Sequence, residues 1–259
     1  MAAVGDIACS PQTSSCGDNA TAALINARDP AALFVLGDAQ YDSGTLAEFW
    51  GSYDQSYGRF LPKTFPVPGN HEYKTSGASG YYRYFGTRAH GSPGYYAFNH
   101  NGWRIYALNS NCSEINCTAE RSWMVADIKD HRADCQAMIM HHPRYSSGAE
   151  HGSSTVPRRF WTVALDSRFE LALAGHDHSY ERFARMDADG NVRTSGIQSF
   201  VSGLGGKSRY GFGARVPGSK VRYNSKDGVL FLGLRAAGYS WDFRSVDDIS
   251  RDSGSASCR

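Results

Sequence analysis

The sequence predicts an α/β fold of layered sheets with helices outside, on three observations. Short apolar runs alternate with helical stretches through the first half of the chain, in the order β-α-β-α-β. Hairpin patterns dominate the second half. Several apolar runs also stop abruptly at Asp, Asn or His, most plainly Met138-Ile139-Met140-His141-His142-Pro143 and Ala174-Gly175-His176-Asp177-His178. A buried strand that ends this way delivers polar side chains into the crevice at the rim of a sheet, where open α/β folds place their ligands.

Taken in order, Ala2 to Ile7 reads as a short buried strand that leaves Asp6 at its end. A helix follows from Asp18 or Thr21 to Arg28, with Asp18 or Asn19 as N-cap and Asp29-Pro30 as its stop. Leu33-Phe34-Val35-Leu36 is a second apolar run, closed by Gly37-Asp38. Thr45 to Tyr57 reads as helical, and Thr64-Phe65-Pro66-Val67-Pro68 as an edge-like strand leading into Gly69-Asn70-His71-Glu72. Residues 73–94 form a long excursion with a helical turn at Tyr81 to Phe85. Asn101-Gly102 between Tyr95–Phe98 and Trp103–Leu108 marks a hairpin. Thr118 caps a helix to Lys129, the strand Gln136 to His141 follows, and Val156 to Leu165 is helical with Pro157 in its first turn. Phe169 to Ala174 is the next strand. Hairpins are expected for Arg182–Met186 with Val192–Thr194 and for Val229–Leu234 with Ser240–Val246, with Gln198–Ser202 as a strand between them.

The composition suits one compact domain, 1–259: 259 residues, 41% apolar and 13% aromatic, can bury a large core. A net charge of +2, from 27 basic and 25 acidic residues, gives no electrostatic bias toward nucleic acid. No run of 18 apolar residues offers a membrane span. No charged and apolar leader precedes Val4, so the chain reads as one whose secretory signal has been removed. Cys9 and Cys16 are seven apart and Cys112 and Cys117 five apart, in loop-like surroundings that fit two local disulfides, which leaves Cys135 and Cys258 to join. Six cysteines allow fifteen connectivities, and this is the one taken. An even count at such spacing points to an oxidising compartment, secreted or periplasmic. Asn19, Asn111 and Asn116 match the glycosylation acceptor pattern.

The residues left at strand ends are Asp6, Asp38, Asn70, His71, His141, His176 and His178. This mixture of carboxylate, amide oxygen and imidazole suits Zn, Mn or Fe rather than a thiolate site. A lone Asp at a strand end is more often a turn residue, and a lone buried His a satisfied core residue. So many coincidences at strand ends favour a metal site.

With these motifs assembled, Gly5-Asp6-Ile7-Ala8, Gly37-Asp38-Ala39-Gln40-Tyr41, Gly69-Asn70-His71-Glu72, Met140-His141-His142-Pro143 and Gly175-His176-Asp177-His178, the chain resembles the calcineurin-like metallophosphoesterases. Tyr41, three residues after Asp38, is similar to the pattern of the purple acid phosphatases, in a small form without their additional N-terminal β-domain. The resemblance implies a four-layer α/β/β/α sandwich with two mixed sheets. It further implies that Asp6, Tyr41 and His178 hold one metal ion, that Asn70, His141 and His176 hold a second, and that Asp38 bridges them. A phenolate from Tyr41 favours Fe(III), and the other ligands suit divalent Zn, Mn or Fe. Two such ions polarise phosphoryl oxygens and activate a water for in-line attack on a small phosphate ester.

His71 and His151 correspond in that resemblance to outer-sphere histidines that bind substrate or donate a proton to the leaving group. His142 reads as structural, and His90, His100 and His131 have no role. Arg144 and Lys207 are the nearest basic candidates for phosphate contacts. The aromatic stretch Tyr73, Tyr81, Tyr82, Tyr84, Phe85, Tyr95 and Tyr96 could wall the substrate or pack the core. Three functions are open: a phosphomonoesterase of broad specificity, a phosphodiesterase or nucleotidase with the same site, and a non-catalytic metal-binding protein. The first motif departs from the common pattern in ending on Ala8 rather than glycine.

Overall fold

The computed structural model describes residues 1–259. Three parallel strands form one half of a first sheet: β1 (Ala2–Val4), β2 (Leu33–Leu36) and, at the edge, β3 (Thr64–Val67). Each is short and apolar on both faces because each is covered on both. Helix α1 (Asp18–Arg28) links β1 to β2. The predicted helix after Thr45 is split into α2 (Leu46–Glu48), a π-helical turn (Phe49–Tyr53) and α3 (Asp54–Tyr57). Pro66 is accommodated because β3 is the sheet's edge. The excursion that follows carries α4 (Ser79–Phe85) and two 3-10 turns before it, more helix than expected.

The second sheet begins with the hairpin β4 (Tyr96–His100) and β5 (Trp103–Ala107). Helix α5 (Cys117–Asp130), strand β6 (Cys135–Ile139), helix α6 (Arg158–Asp166) and strand β7 (Leu171–Ala174) follow. Then come β8 (Tyr180–Phe183), β9 (Gln198–Ser202), β10 (Ser219–Tyr223), β11 (Gly228–Arg235), β12 (Gly238–Ser245) and β13 (Ser250–Ser257). The two sheets have the orders β13-β12-β11-β1-β2-β3 and β10-β8-β9-β7-β6-β5-β4, and both mix parallel and antiparallel pairs.

Alternation along the strands builds three cores. Phe34 and Leu36 of β2 meet Ile105, Ala107, Ile139, Leu171 and Leu173 of the second sheet, and β11 adds Leu230 and Leu232 between the sheets. Leu33 and Val35 face the other way, against Leu24, Ile25, Phe49, Tyr53 and Tyr81. Met138, Met140, Ala172 and Ala174 face Met124, Phe160 and Trp161 of the helices over the second sheet. The result is the expected α/β/β/α sandwich.

Several local expectations are corrected. The N-cap of α1 is Gly17, without a side-chain cap, rather than Asp18 or Asn19. Asn116, not Thr118, caps α5, its side chain accepting from Thr118 N and Ala119 N. Arg182–Met186 and Val192–Thr194 do not form a regular hairpin: β8 pairs with β9 and β10, and only a bridge joins Met186 to Val192. Strands β10 and β13 carried no sequence signal, because Ser, Gly and charged residues fill β13 and its partner β12 supplies the ladder. The disulfides are Cys9–Cys16, Cys112–Cys117 and Cys135–Cys258. Asn111 is buried and donates to Pro68 O and Asn109 Oδ1, so its side chain is not free for a glycan. No helix is long and apolar enough to cross a membrane.

Candidate metal centre

The carboxyl ends of β1, β2 and β3 in one sheet meet those of β6 and β7 in the other. Gly5 N donates to Ser202 O at 2.9 Å and His176 N to Asp6 Oδ2 at 2.9 Å, tying the sheets together there. The turns after the strands are tight. Asp6, Asp38 and His176 adopt positive φ (61°, 45° and 71°), a conformation that costs on the order of 1–3 kcal/mol each outside glycine. Glycines precede Asp38 and Asn70 where a side chain would collide: a Cβ on Gly37 would stand 2.5 Å from His141 Nδ1, and one on Gly69 would stand 2.1 Å from Asp38 Oδ1.

All seven sequence-predicted donors converge. Tyr41 Oη lies 3.0 Å from Asp6 Oδ1, 2.9 Å from Asp38 Oδ2 and 3.0 Å from His178 Nε2. His141 Nε2 lies 3.4 Å from Asp38 Oδ2, 3.0 Å from Asn70 Oδ1 and 3.1 Å from His176 Nδ1. Asp38 Oδ2 therefore belongs to both groups. Ligand bonds of about 2.0–2.2 Å place neighbouring donors about 3.0–3.5 Å apart, so each group has the edge lengths of a coordination shell. The imidazoles are oriented from outside. His141 Nδ1–H donates to Leu36 O at 2.9 Å and His178 Nδ1–H to Ser208 O at 2.6 Å, which turns both Nε2 lone pairs inward.

The electrostatics of this cluster call for positive charge. Burial pushes the Asp6 carboxyl well above its ordinary value and likewise raises the Tyr41 phenol, to which Asp38 and Asp6 add. Burial also opposes charge on Asp38 and His141, but their mutual attraction wins. Asp38 is held well below the usual carboxylate range, and His141 is raised to about 9. A cation among these donors would replace the proton that His141 otherwise retains. The donor set thus fits a dinuclear metal site in both geometry and charge.

The outer residues divide. His71 is half-buried, its Nδ1–H donating to Asp42 O at 2.6 Å and its ring 4.2 Å from that of Tyr41. Burial lowers its pKa, against the charge of Asp38. His151 is exposed and stacks on His176, centroids 4.1 Å apart and planes 23° apart. His142 meets the outer edge of His176, centroids 4.4 Å apart, and is held by Ser110 Oγ at 2.8 Å from its Nδ1. Burial pushes its pKa down to about 3. Arg144 does not serve a phosphate: its guanidinium donates to Ser154 O and Ala188 O. Lys207 does stand at the site, with its Nζ 4.7 Å from the centre of the Tyr41 ring. Of the aromatic stretch, Tyr81, Tyr84, Phe85 and Tyr96 are buried core residues.

Three residues escaped the sequence reading. Glu72 is fully buried and accepts from Asp38 N, Gln40 N and Gly69 N, joining the second and third motifs. Asp177 accepts from His151 N and Gly152 N and so anchors that loop. Tyr210 stacks on His178, centroids 3.9 Å and planes 8° apart. The Glu72 and Asp177 positions lie inside the motifs already quoted and were legible as their non-ligand acids. Tyr210 had no signal.

A fold of two mixed sheets between helices, with oxygen and imidazole donors gathered where the sheets meet, defines a metallophosphoesterase-type protein. The family model for calcineurin-like phosphoesterases matches residues 2–180, and the chain belongs to that family. Within it, the chain is similar to a probable purple acid phosphatase of Arabidopsis thaliana, 29% identical over 102 residues, a match covering 37% of this chain and 24% of that protein. Purple acid phosphatase PPD1 of yellow lupin shares the fold at TM-score 0.76 and 17% identity, over 99% of this chain and 53% of that one. This chain thus spans about half the length of the lupin protein. GAP50 of Plasmodium, described as the anchor in the inner membrane complex, gives a TM-score of 0.72 at 16% identity, covering 100% of this chain and 88% of that one. A dimetal phosphatase from Danio rerio gives 0.61 at 13% identity, covering 100% and 98%.

Proposed function

We propose that the protein is a dinuclear metal-dependent phosphomonoesterase, with residues 1–259 as its catalytic domain and small phosphate esters as its substrates. The observation that carries this reading is the shared oxygen of Asp38, 2.9 Å from Tyr41 Oη and 3.4 Å from His141 Nε2. Asp6, Asp38, Tyr41 and His178 would hold one ion, and Asp38, Asn70, His141 and His176 the other. The phenol oxygen in the first set suits Fe(III), and the amide and imidazoles of the second suit divalent Zn, Mn or Fe. When bound, the two ions supply Lewis-acid activation of the phosphoryl group and of water.

The chain's own residues supply the rest. His71 and His151 flank the donors from the β3 side and the His176 side, where they can bind phosphoryl oxygens and pass a proton to the leaving oxygen. The lowered pKa of His71 confines its proton-donating form to acidic solution. The fold alone does not specify catalysis, and the complete donor set with His71 is what favours it here. Three disulfides and the similarity to a purple acid phosphatase support a secreted or periplasmic location.

The test is metal analysis combined with assays on a nitrophenyl phosphate monoester and its bis-ester. Two ions per chain, faster monoester hydrolysis and a loss of about 10²-fold or more in kcat for His71→Ala are expected. A visible band lost in Tyr41→Phe would support iron. Fewer than two ions, or metal-replete protein inert to both esters, overturns the proposal; faster diester hydrolysis reassigns it to the phosphodiesterases.

A further inference from the structure

Sheet edges present unpaired N–H and C=O groups, and folded chains usually guard them with Pro, Lys or other charges. Two edges here carry such guards: β3 has Pro66, and β10 has Lys220 and Arg222. The edge strand β13 is 8 residues long and has neither Pro nor Lys. Its two charged residues are engaged inside the chain: Arg251 donates to Ser245 Oγ and Asp247 Oδ2, and Asp252 accepts from Tyr180 and Arg182. The extra residue that breaks the register with β12 is Arg251, so the stretch that follows, Ser253-Gly254-Ser255-Ala256-Ser257, is regular, uncharged and made of small residues. The Cys135–Cys258 disulfide holds the end of that stretch in place.

The ladder with β12 fixes which backbone groups are free. Cys258 N donates to Ala237 O at 3.0 Å, and hydrogen-bonded and non-hydrogen-bonded pairs alternate along an antiparallel ladder. Asp252, Gly254 and Ala256 therefore turn their N–H and C=O toward β12, whereas Ser253 and Ser255, both exposed, turn theirs away from the sheet. Ser257 does too, but its carbonyl already accepts from Arg185 at 3.3 Å. The free groups are thus symmetric about Gly254. A second β13, laid antiparallel across a two-fold axis at Gly254, puts Ser253 opposite Ser255 of the second copy and Ser255 opposite its Ser253, and each pair exchanges two N–H···O bonds. Gly254 then meets Gly254 at the close, non-hydrogen-bonded position, where the lack of side chains lets the strands approach. A Cβ on Gly254 would stand 2.3 Å from Trp241 Cζ2, so the indole lies over this glycine and backs the contact from the inner face. No like charges face each other: Arg251 falls opposite Ser257, and Asp252 opposite Ala256. We propose that the protein forms a two-fold dimer through β13, which joins the 6-stranded sheets of two copies into one continuous sheet. The occupant is a second copy because a strand of the same sequence satisfies all the symmetric free groups in one register. None of the metal donors belongs to β13, so this contact stands apart from the phosphoesterase reading.

Sedimentation velocity of the full chain tests it. The wild type should pass from monomer to dimer between about 1 µM and about 1 mM, the range of weak association. Ser255→Pro removes an N–H that points away from β12, and with it half of the bonds across the axis, so the dimer should weaken about ten-fold or more. Ser253→Lys/Ser255→Lys faces lysine with lysine and should weaken it as well. Ser253→Lys/Ser255→Glu faces lysine with glutamate across the axis and should tighten it about three- to ten-fold. Both pairs of substitutions fall on exposed side chains, so the monomer should keep its Tm within about 2 °C. Amide exchange gives a second readout: the Ser253 and Ser255 N–H groups should exchange more slowly as protein concentration rises, whereas the Gly254 N–H, bonded to β12, should be protected at every concentration. A monomer throughout that range overturns the proposal and leaves the edge to a strand of another chain. A dimer that responds to the Lys/Lys and Lys/Glu variants with the same sign, or to neither, uses another surface and overturns it too.

Discussion

Glu72 is the side chain whose removal should propagate furthest. It is fully buried, and its carboxylate accepts from Asp38 N at 3.0 Å, Gln40 N at 3.1 Å and Gly69 N at 2.7 Å. These three N–H groups belong to the two turns that carry Asp38, Tyr41 and Asn70. Glu72→Ala leaves all three buried without acceptors. Each hydrogen bond to a charged acceptor contributes about 1.5–3 kcal/mol, and bonds sharing one carboxylate are not additive, so a total loss of about 4–5 kcal/mol is expected. A chain of this size shifts its Tm by about 2 °C per kcal/mol, which puts the variant about 8–10 °C below the wild type. Glu72→Gln keeps the shape but turns an NH2 toward one donor, for about 2–3 kcal/mol and about 5 °C. Thermal unfolding of the metal-free protein reads the stability, and metal titration reads the site, where both variants should bind more weakly. If Glu72→Ala unfolds at the wild-type temperature and binds two ions with wild-type affinity, the assignment of Glu72 as the strut between the two turns is wrong.

Other substitutions test separate links. Gly37→Ala puts a methyl 2.5 Å from His141 Nδ1 at φ +81°, so it should displace His141 and abolish one of two bound ions, as counted by elemental analysis. Glu120 is buried, with one oxygen accepting from Asn109 N and the other unpartnered, and burial raises its pKa from 4.5 to about 8. A raised carboxyl favours the folded state only while protonated. Its contribution is therefore complete below pH 4.5 and lost as pH rises to about 8, at most about 5 kcal/mol, and denaturation of Glu120→Gln should lack that slope. Cys135→Ser/Cys258→Ser opens a loop of sequence separation 123 and should lower stability by about 3–5 kcal/mol in denaturant titrations.

The sequence by itself determined most of the buried strands, their apolar faces and the residues at their ends. Leu33–Leu36 and Gln136–His141 read as buried strands because burial on both faces leaves nearly every position apolar, and Asp38 and His141 mark where the apolar run stops. The disulfide partners were legible for a similar local reason in two cases, and by remainder in the third. What the sequence could not display was whatever depended on an approach from a distant segment. β13 is a strand only because β12 offers it a ladder, and its Ser- and Gly-rich sequence carries no periodicity of its own. Tyr210 reaches His178 through a loop whose course is set by its pairing with residues 147–149. Lys74 and Lys207, 133 positions apart, likewise come to His71 and Asp42 at the edge of the site only through tertiary packing. Strand ends follow from local burial, which is written in consecutive residues. Which of them share an ion, and which charges surround it, follows from the packing of two sheets against each other, and no short stretch of chain contains that information.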